Sequence, residues 1–423
     1  MHVAMLSGEY PPRWGGMGST VFHLSGALAK MGHQVTVITR RDSKAVNNPS
    51  LIPKQEGVTV RMVKWAKLPM AFTRSYGRHA LTELLKLHRS NPVDAVHIHA
   101  PMISWTAKQY ARVRAEIGNV TTSLHGSWLG ERDGMIRAAK YGESATWKNP
   151  NDLAILLTAK HYAKYERAAV RGSTVCVANS EATKLDFETR YNPPENWRAE
   201  VVRWGVDIDM FHQQNHDDED AQLAHEKMRN RYGQPDEAAL RGAADTKTPL
   251  LLAVGRLAGR KGFRTLLRSM PEILAKNSGA HLVIVGRGHM KKTLLKQAKK
   301  LAISHAVTIE SGMEFSDLAQ LFRSADLSIY PSLYEGQGLI PLESMASGTP
   351  CATVNDGPLP EMVDETVGGL FAVGDPSSLA NKVNEMLANP EKMIDLAAAG
   401  RQRVSDEYTY VLNAEKYASF YAE

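Results

Sequence analysis

Apolar and polar positions along this chain follow two alternating periods. The runs "HVAML", "QVTVIT", "VTVRMV", "DAVHI", "VTTSL", "STVCVA" and "EVVRW" are short, rich in β-branched residues and bounded by turn residues, and read as strands. Amphipathic stretches separate several of them. The clearest, "STVFHLSGALAKMG", puts Val21, Leu24, Leu28 and Met31 on one face, with Ser19 as N-cap and Gly32 as its stop. The polar stretch 212–247 interrupts the pattern, and its acidic "DDED" reads as solvated surface. Strands then return as "PLLLAVG", "HLVIVG", "AVTIE", "DLSIYP", "PCATV" and "GGLF", and the tail "DEYTYVLNAEKYASFYAE" has a helical pattern.

Strand–helix alternation with apolar strands predicts an α/β fold with parallel sheets covered on both faces. No period of 20–50 residues repeats, which excludes a solenoid. The expected organisation is two Rossmann-like doubly wound domains. The first covers 1–211, a linker or surface excursion covers 212–247, the second domain covers 248–405, and a C-terminal helix covers 406–423 and is a candidate to cross back to the first domain. Two such domains imply a cleft, with ligands at the carboxyl ends of strands where strand order reverses.

Composition narrows this further. At 423 residues the chain exceeds what one core supports, and 43% hydrophobic with 23% charged residues excludes disorder. No apolar run approaches the roughly 20 residues that span a bilayer. The opening "MHVAMLSGEYPP" has no basic region, so no secretory signal and a cytoplasmic location are expected. Cys176 and Cys351 each sit in a β-like run and read as buried small hydrophobes rather than a disulfide framework. The net charge of +6 suits an anionic ligand or a membrane surface. No nucleic-acid partner is expected.

Three strand-end loops carry candidate chemistry. "SGEYPPRWGGMGS" places Gly15, Gly16 and Gly18 before a helix, where backbone N–H groups meet anions. It is not a dinucleotide fingerprint, and a plain tight turn is the alternative. "GRLAGRKG" offers Arg256 and Lys261, a guanidinium fork and an ammonium suited to a diphosphate; a basic turn on a basic protein is the alternative. "YEGQGLIPLESMASG" brackets a bend with Glu335 and Glu343, and Pro341 fits the first helical position. Glu343 suits the positive end of the helix dipole in any case. An anion site between two carboxylates makes sense for a nucleotide sugar: phosphates at the centre, hydroxyl acceptors at either end.

The chain resembles the retaining family-4 glycosyltransferases of GT-B fold, possessing two Rossmann-like domains facing a cleft. "KMGHQVTVIT", "GRLAGRKG", "EGQGLIPLE", "VANSEATK", "RWGVDIDMF" and "GPLPEMV" match that family's landmarks in order over essentially the whole chain. The resemblance implies that Arg256 and Lys261 neutralise the donor diphosphate, Glu343 holds the ribose and Glu335 the transferred sugar. It implies backbone contacts to phosphate from Gly338, Leu339, Ile340 and, in the first domain, Gly16. Met313 falls where the family contacts the base, and His125 where it has an active-site histidine. Gln337 and Trp204 depart from the family's apolar residue and Asn at those positions.

The resemblance further implies a nucleotide-sugar donor, a UDP-hexose being the commonest, with a glycan or lipid-linked acceptor and no cofactor. "HGSWLGERDGM" is similar to the glycogen- and starch-synthase-like branch, favouring a glycan. A GT-B nucleotide-sugar epimerase and a non-catalytic sugar-nucleotide binder are the alternatives; a phosphorylase lacks these motifs. No metal is expected: "DID" at 207–209 sits at the domain junction, and His97 and His99 have no third ligand. Residues 64–89 carry six Lys/Arg against one acid, Glu83. Either Leu81, Leu84, Leu85 and Leu87 pack into the first domain, which the layered fold favours, or the helix docks peripherally on anionic lipid at the inner membrane face.

Overall fold

The computed structural model describes residues 1–143, 149–214, 218–232 and 248–423. It divides into two compact units. The first comprises Met1–Asp133, Pro150–Gly205 and Tyr408–Glu423, and the second Gly134–Asn149 and Val206–Glu407.

The first unit holds strands β1 (His2–Ser7), β2 (Gln34–Arg40), β3 (Val58–Val63), β4 (Ala95–Ala100), β5 (Asn119–Leu124), β6 (Val175–Ala178) and β7 (Ala199–Val201). They form a parallel sheet in the order β3-β2-β1-β4-β5-β6-β7. Alternate residues of β1 serve opposite cores. Ala4 and Leu6 pack with Leu81, Leu84 and Leu85 of the helix Ala71–Ser90, and Val3 and Met5 pack with Val21 and Leu24 of the helix Gly16–Lys30. Burying both faces is why this strand reads as unbroken apolar sequence. The last helix, Tyr410–Tyr421, joins the second of these cores through Tyr410, Ala414, Tyr417 and Tyr421. The C-terminus thus returns to the first unit.

The second unit holds β8 (Leu250–Val254), β9 (His281–Val285), β10 (Val307–Glu310), β11 (Leu327–Tyr330), β12 (Cys351–Val354) and β13 (Gly368–Phe371). Their order is β10-β9-β8-β11-β12-β13, again all parallel. Chain order reverses between β8 and β11, the place where a ligand crevice opens in such sheets. Helix Phe263–Lys276 covers one face with Phe263, Leu266, Leu267, Met270 and Ile273, all buried. Full burial of one such leucine contributes roughly 1.5–3 kcal/mol.

Several boundaries differ from the expected ones. The helix Gly16–Lys30 starts three residues before Ser19, with Gly15 as N-cap; Ser19 lies inside and its N–H donates to the Gly15 carbonyl at 2.9 Å. Met31 is 42% exposed, because the helix has ended and Gly32 turns away at φ +87°. The strand expected from "EVVRW" stops at Val201. Segment 134–143 belongs to the second unit although it lies inside the first stretch of sequence, and so does 206–211. Within the expected linker, Glu219–Arg231 is a helix lying against the helix Phe315–Ser324, with buried Arg229 donating to the Ser324 carbonyl and Asp326. The remainder of 212–247 includes 215–217 and 233–247, which lie outside the described residues. Cys176 and Cys351 are buried, free, and in different sheets.

Candidate functional site

The loops after β8 and β11 flank the reversal point of the second sheet, and the groups expected to act together are found there. The β8 loop closes with a short 3-10 turn, Gly259–Lys261, followed by Gly262 at φ +70°. A Cβ on Gly262 would meet the Pro331 carbonyl oxygen at 2.0 Å, so only glycine allows this loop onto the end of β11. The Arg260 carbonyl then accepts from Leu333 N–H at 2.7 Å, tying the two loops together.

Lys261 and Glu335 form an ion pair, each side chain only 11% exposed. Glu335 Oε1 accepts from Lys261 Nζ, from the Tyr330 hydroxyl at 2.7 Å and from the Ser332 hydroxyl at 2.5 Å. Lys261 Nζ also donates to the Tyr330 hydroxyl at 3.0 Å. Among the described residues no hydrogen bond goes to Oε2. Burial alone would push the Glu335 carboxyl up; the charges of Lys261 and Arg260, with the hydrogen bonds from Lys261 and Ser332, hold it at about 2. Burial pushes Lys261 down, and Arg260 and Arg256 add to that, while Glu335 opposes it. The pair is charged, and its geometry is fixed by two hydroxyls that sequence reading did not single out, Tyr330 and Ser332.

Arg256 is exposed at the end of β8 and makes no ion pair or hydrogen bond with its side chain among the described residues. Glu343 lies in the first turn of the helix Ile340–Ala346, with Leu339 as N-cap. Pro341 is its second residue rather than its first. Gly338 turns at φ +104°, with the Tyr330 ring 3.3 Å from where a Cβ would stand. The Glu343 carboxyl, half-buried, is pushed up to about 7 by burial and by the charge of Asp207. Gln337 is buried. Met313 is half-buried just after β10, and Gly312 beside it meets the Arg287 guanidinium.

The segment 134–143 braces this edge of the second unit. Gly134 abuts Tyr334, the neighbour of Glu335, with 2.6 Å between its Cβ position and the Tyr334 Cβ. Arg137 pairs with Asp356 in the loop after β12. The buried Glu143 carboxylate accepts from Arg264 N–H at 2.9 Å and Thr265 N–H at 2.5 Å, capping the helix Phe263–Lys276.

Gly16 and His125 belong to the first unit. His125 follows β5, and its Nε2 shares a hydrogen bond with His99 Nδ1 at 2.9 Å. His99 stacks on His97 at 4.2 Å between ring centroids. His97 contacts Ser123 and the Tyr421 hydroxyl, each at 2.7 Å, so both histidines take part in packing and hydrogen bonding. Burial lowers His99 to about 3 and takes His125 well below the usual range, leaving neutral imidazoles. Trp204 lies 4.8 Å from the His125 ring. The His125 loop is anchored by Ser127, which donates to Asp186 at 2.6 Å, and by buried Glu166, which accepts from Trp128 N–H at 2.9 Å.

In "DID", the Asp207 carboxylate accepts from Asp209 N–H at 3.2 Å and Met210 N–H at 3.3 Å. Among the described residues no group of three His, Cys, Asp or Glu side chains stands together as a metal site. No helix among them is long and apolar enough to cross a membrane. Leu81, Leu84, Leu85 and Leu87 are buried in the first unit, as the layered fold favours.

Known proteins resemble this chain along most of its length. Residues 14–210 match the family described as Glycosyltransferase Family 4, and 237–403 that described as Glycosyl transferases group 1. The chain is 29% identical to a glycogen synthase of Mycobacterium tuberculosis, covering 100% of this chain and 94% of the relative. It is also 29% identical to a GDP-mannose-dependent alpha-(1-6)-phosphatidylinositol monomannoside mannosyltransferase of that organism, over 59% of this chain and 62% of the relative. Its fold is similar to that of a sucrose-phosphate synthase from Thermosynechococcus elongatus, with a TM-score of 0.76 at 20% identity, covering 100% of this chain and 98% of the other.

Proposed function

The chain belongs to the family-4 glycosyltransferases of GT-B fold, and on that premise we propose that it is a retaining hexosyltransferase, moving a hexose from a nucleotide-sugar donor to a hydroxyl of a glycan. The observation that carries this reading is the Lys261–Glu335 pair beside exposed Arg256 at the reversal point of the second sheet. Arg256 and Lys261 meet the diphosphate, and Glu335 offers Oε2 to a hydroxyl of the transferred sugar. Glu343 accepts the ribose hydroxyls, with Gly338, Leu339 and Ile340 supplying backbone contacts to phosphate. Met313 borders the base. In the first unit, Gly16 is a backbone donor to phosphate, and His125 offers Nδ1, a buried nitrogen without a partner among the described residues, to a substrate hydroxyl.

In the transfer step the bond from the sugar's anomeric carbon to the leaving phosphate oxygen breaks, and a bond to the acceptor oxygen forms on the same face. The acceptor's proton passes to the leaving phosphate oxygen. Arg256 and Lys261 stabilise the charge growing there, so the chemistry needs neither a dedicated protein base nor a metal ion. UDP-hexose is the proposed donor. The full-length likeness to a glycogen synthase supports a glycan acceptor. The test is nucleotide release across UDP-, ADP- and GDP-hexoses, with and without α-glucan, followed by product analysis. Transferred sugar supports the reading; epimerised or unchanged donor with every acceptor contradicts it.

A lipid-linked acceptor is the second reading. It is supported by likeness to the phosphatidylinositol mannoside enzyme and by the exposure of Lys64, Lys67, Arg74, Arg78, Lys86 and Arg89 in the first unit, where Leu68 is also 65% exposed. Such a face suits peripheral contact with anionic lipid from the cytoplasmic side.

A further inference from the structure

Tyr330 occupies the last position of β11 and is 3% exposed. On a strand of this kind a tyrosine ordinarily fills core space and sends its hydroxyl to the nearest carbonyl. Here the hydroxyl lies between the two charged side chains of the site. It accepts from Lys261 Nζ at 3.0 Å and donates to Glu335 Oε1 at 2.7 Å. The ring lies beneath the ammonium, with Nζ 5.3 Å from its centroid. Its hydroxyl end lies against the Gly338 turn, with Cε1 3.3 Å from where a Cβ would stand.

We propose that Tyr330 is a positioning residue for the transfer step: its phenol bridges Lys261 and Glu335, commits Glu335 Oε1 to the protein, and leaves Oε2 as the oxygen offered to the transferred sugar. This rests on the reading of the site as a nucleotide-sugar transferase. Three donors converge on Oε1, and a carboxylate held this way does not rotate to exchange its oxygens. When a diphosphate draws Lys261 away, the pair loses its ionic contact. The phenol and the Ser332 hydroxyl are the contacts that still hold Glu335 in place. Tyr330 thereby lets Lys261 answer the phosphate without releasing the carboxylate beside the sugar.

The substitution Tyr330→Phe keeps the ring and removes only the hydroxyl. The expected result is kcat about tenfold lower, with donor KM and the dissociation constant for the free nucleoside diphosphate within about twofold of wild type, since the contact matters most in the transition state. A second readout separates positioning from mere structure. Lys261 is faced by Glu335, Arg260, Arg256 and Tyr330, and losing the phenol acceptor weakens its hold on the proton. The alkaline limb of kcat/KM therefore moves to lower pH in the variant. Wild-type kcat and an unmoved alkaline limb in Tyr330→Phe overturn the inference alone. A wild-type enzyme that transfers sugar from none of the UDP-, ADP- and GDP-hexoses overturns the underlying reading and this inference with it.

Discussion

Replacing Lys261 by alanine tests the site through both stability and turnover. The wild-type pair is 11% exposed on each side, so its energetics are not those of a screened surface bridge. Moving the Glu335 carboxyl from 4.5 to about 2 corresponds to about 3 kcal/mol of stability. The sign is that of a depressed carboxyl: the contribution is full above pH 4.5 and is lost as pH falls through about 2. Burial of the Lys261 ammonium opposes part of it, and Arg260, Tyr330 and Ser332 remain as partners in the variant. The expected net loss at pH 7 is therefore about 2 kcal/mol, below the full cost of stranding a buried charge. Urea unfolding of Lys261→Ala, Glu335→Gln and the double variant gives the coupling directly, expected at about 1–2 kcal/mol. Turnover falls by about 100-fold or more, a typical loss for one charge partner of a transition state. A folded Lys261→Ala protein with near-wild-type turnover, or a double-variant cycle with no coupling, would refute the reasoning.

Three further outcomes are expected. Activity persists in EDTA if, as proposed, Arg256 and Lys261 meet the diphosphate; complete loss restored by Mg²⁺ or Mn²⁺ would return "DID" as a ligand set. Donor KM rises as pH falls through about 7, where Glu343 takes up a proton and no longer accepts two ribose hydroxyls, and this dependence disappears in Glu343→Gln; a KM flat from pH 6 to 8 removes Glu343 from the donor site. With its leucines buried, the basic face of residues 64–89 binds anionic vesicles only at low salt, each cation contributing roughly 1 kcal/mol; equal sedimentation with neutral and anionic vesicles would leave the glycan reading alone.

The strands were legible because each is a short β-branched run between turn residues, and a sheet buried on both faces writes that pattern without interruption. Lys261 and Glu335 could be singled out because strand-end loops are marked by glycine and proline and the motifs there resemble a known family; the structure brings these two side chains together. Tyr330 could not, since a strand tyrosine looks the same in sequence whether its hydroxyl meets a carbonyl or an ion pair. The Gly134–Glu143 brace was hidden for a different reason: its partners, Tyr334, Asp356 and Thr265, are more than a hundred residues away, and no periodicity connects them. Trp204 shows the same limit. As a departure from the family's Asn it stood out, but only the fold places its ring against His125.

Same-face sugar transfer from a nucleotide donor is the reaction proposed for this protein. Proton NMR of the transfer product, from an α-linked donor chosen by the nucleotide-release panel, tests it most directly. A new α-glycosidic anomeric signal is expected, appearing in step with released nucleotide. A β-glycosidic product, or nucleotide released with only free or epimerised sugar, would contradict it.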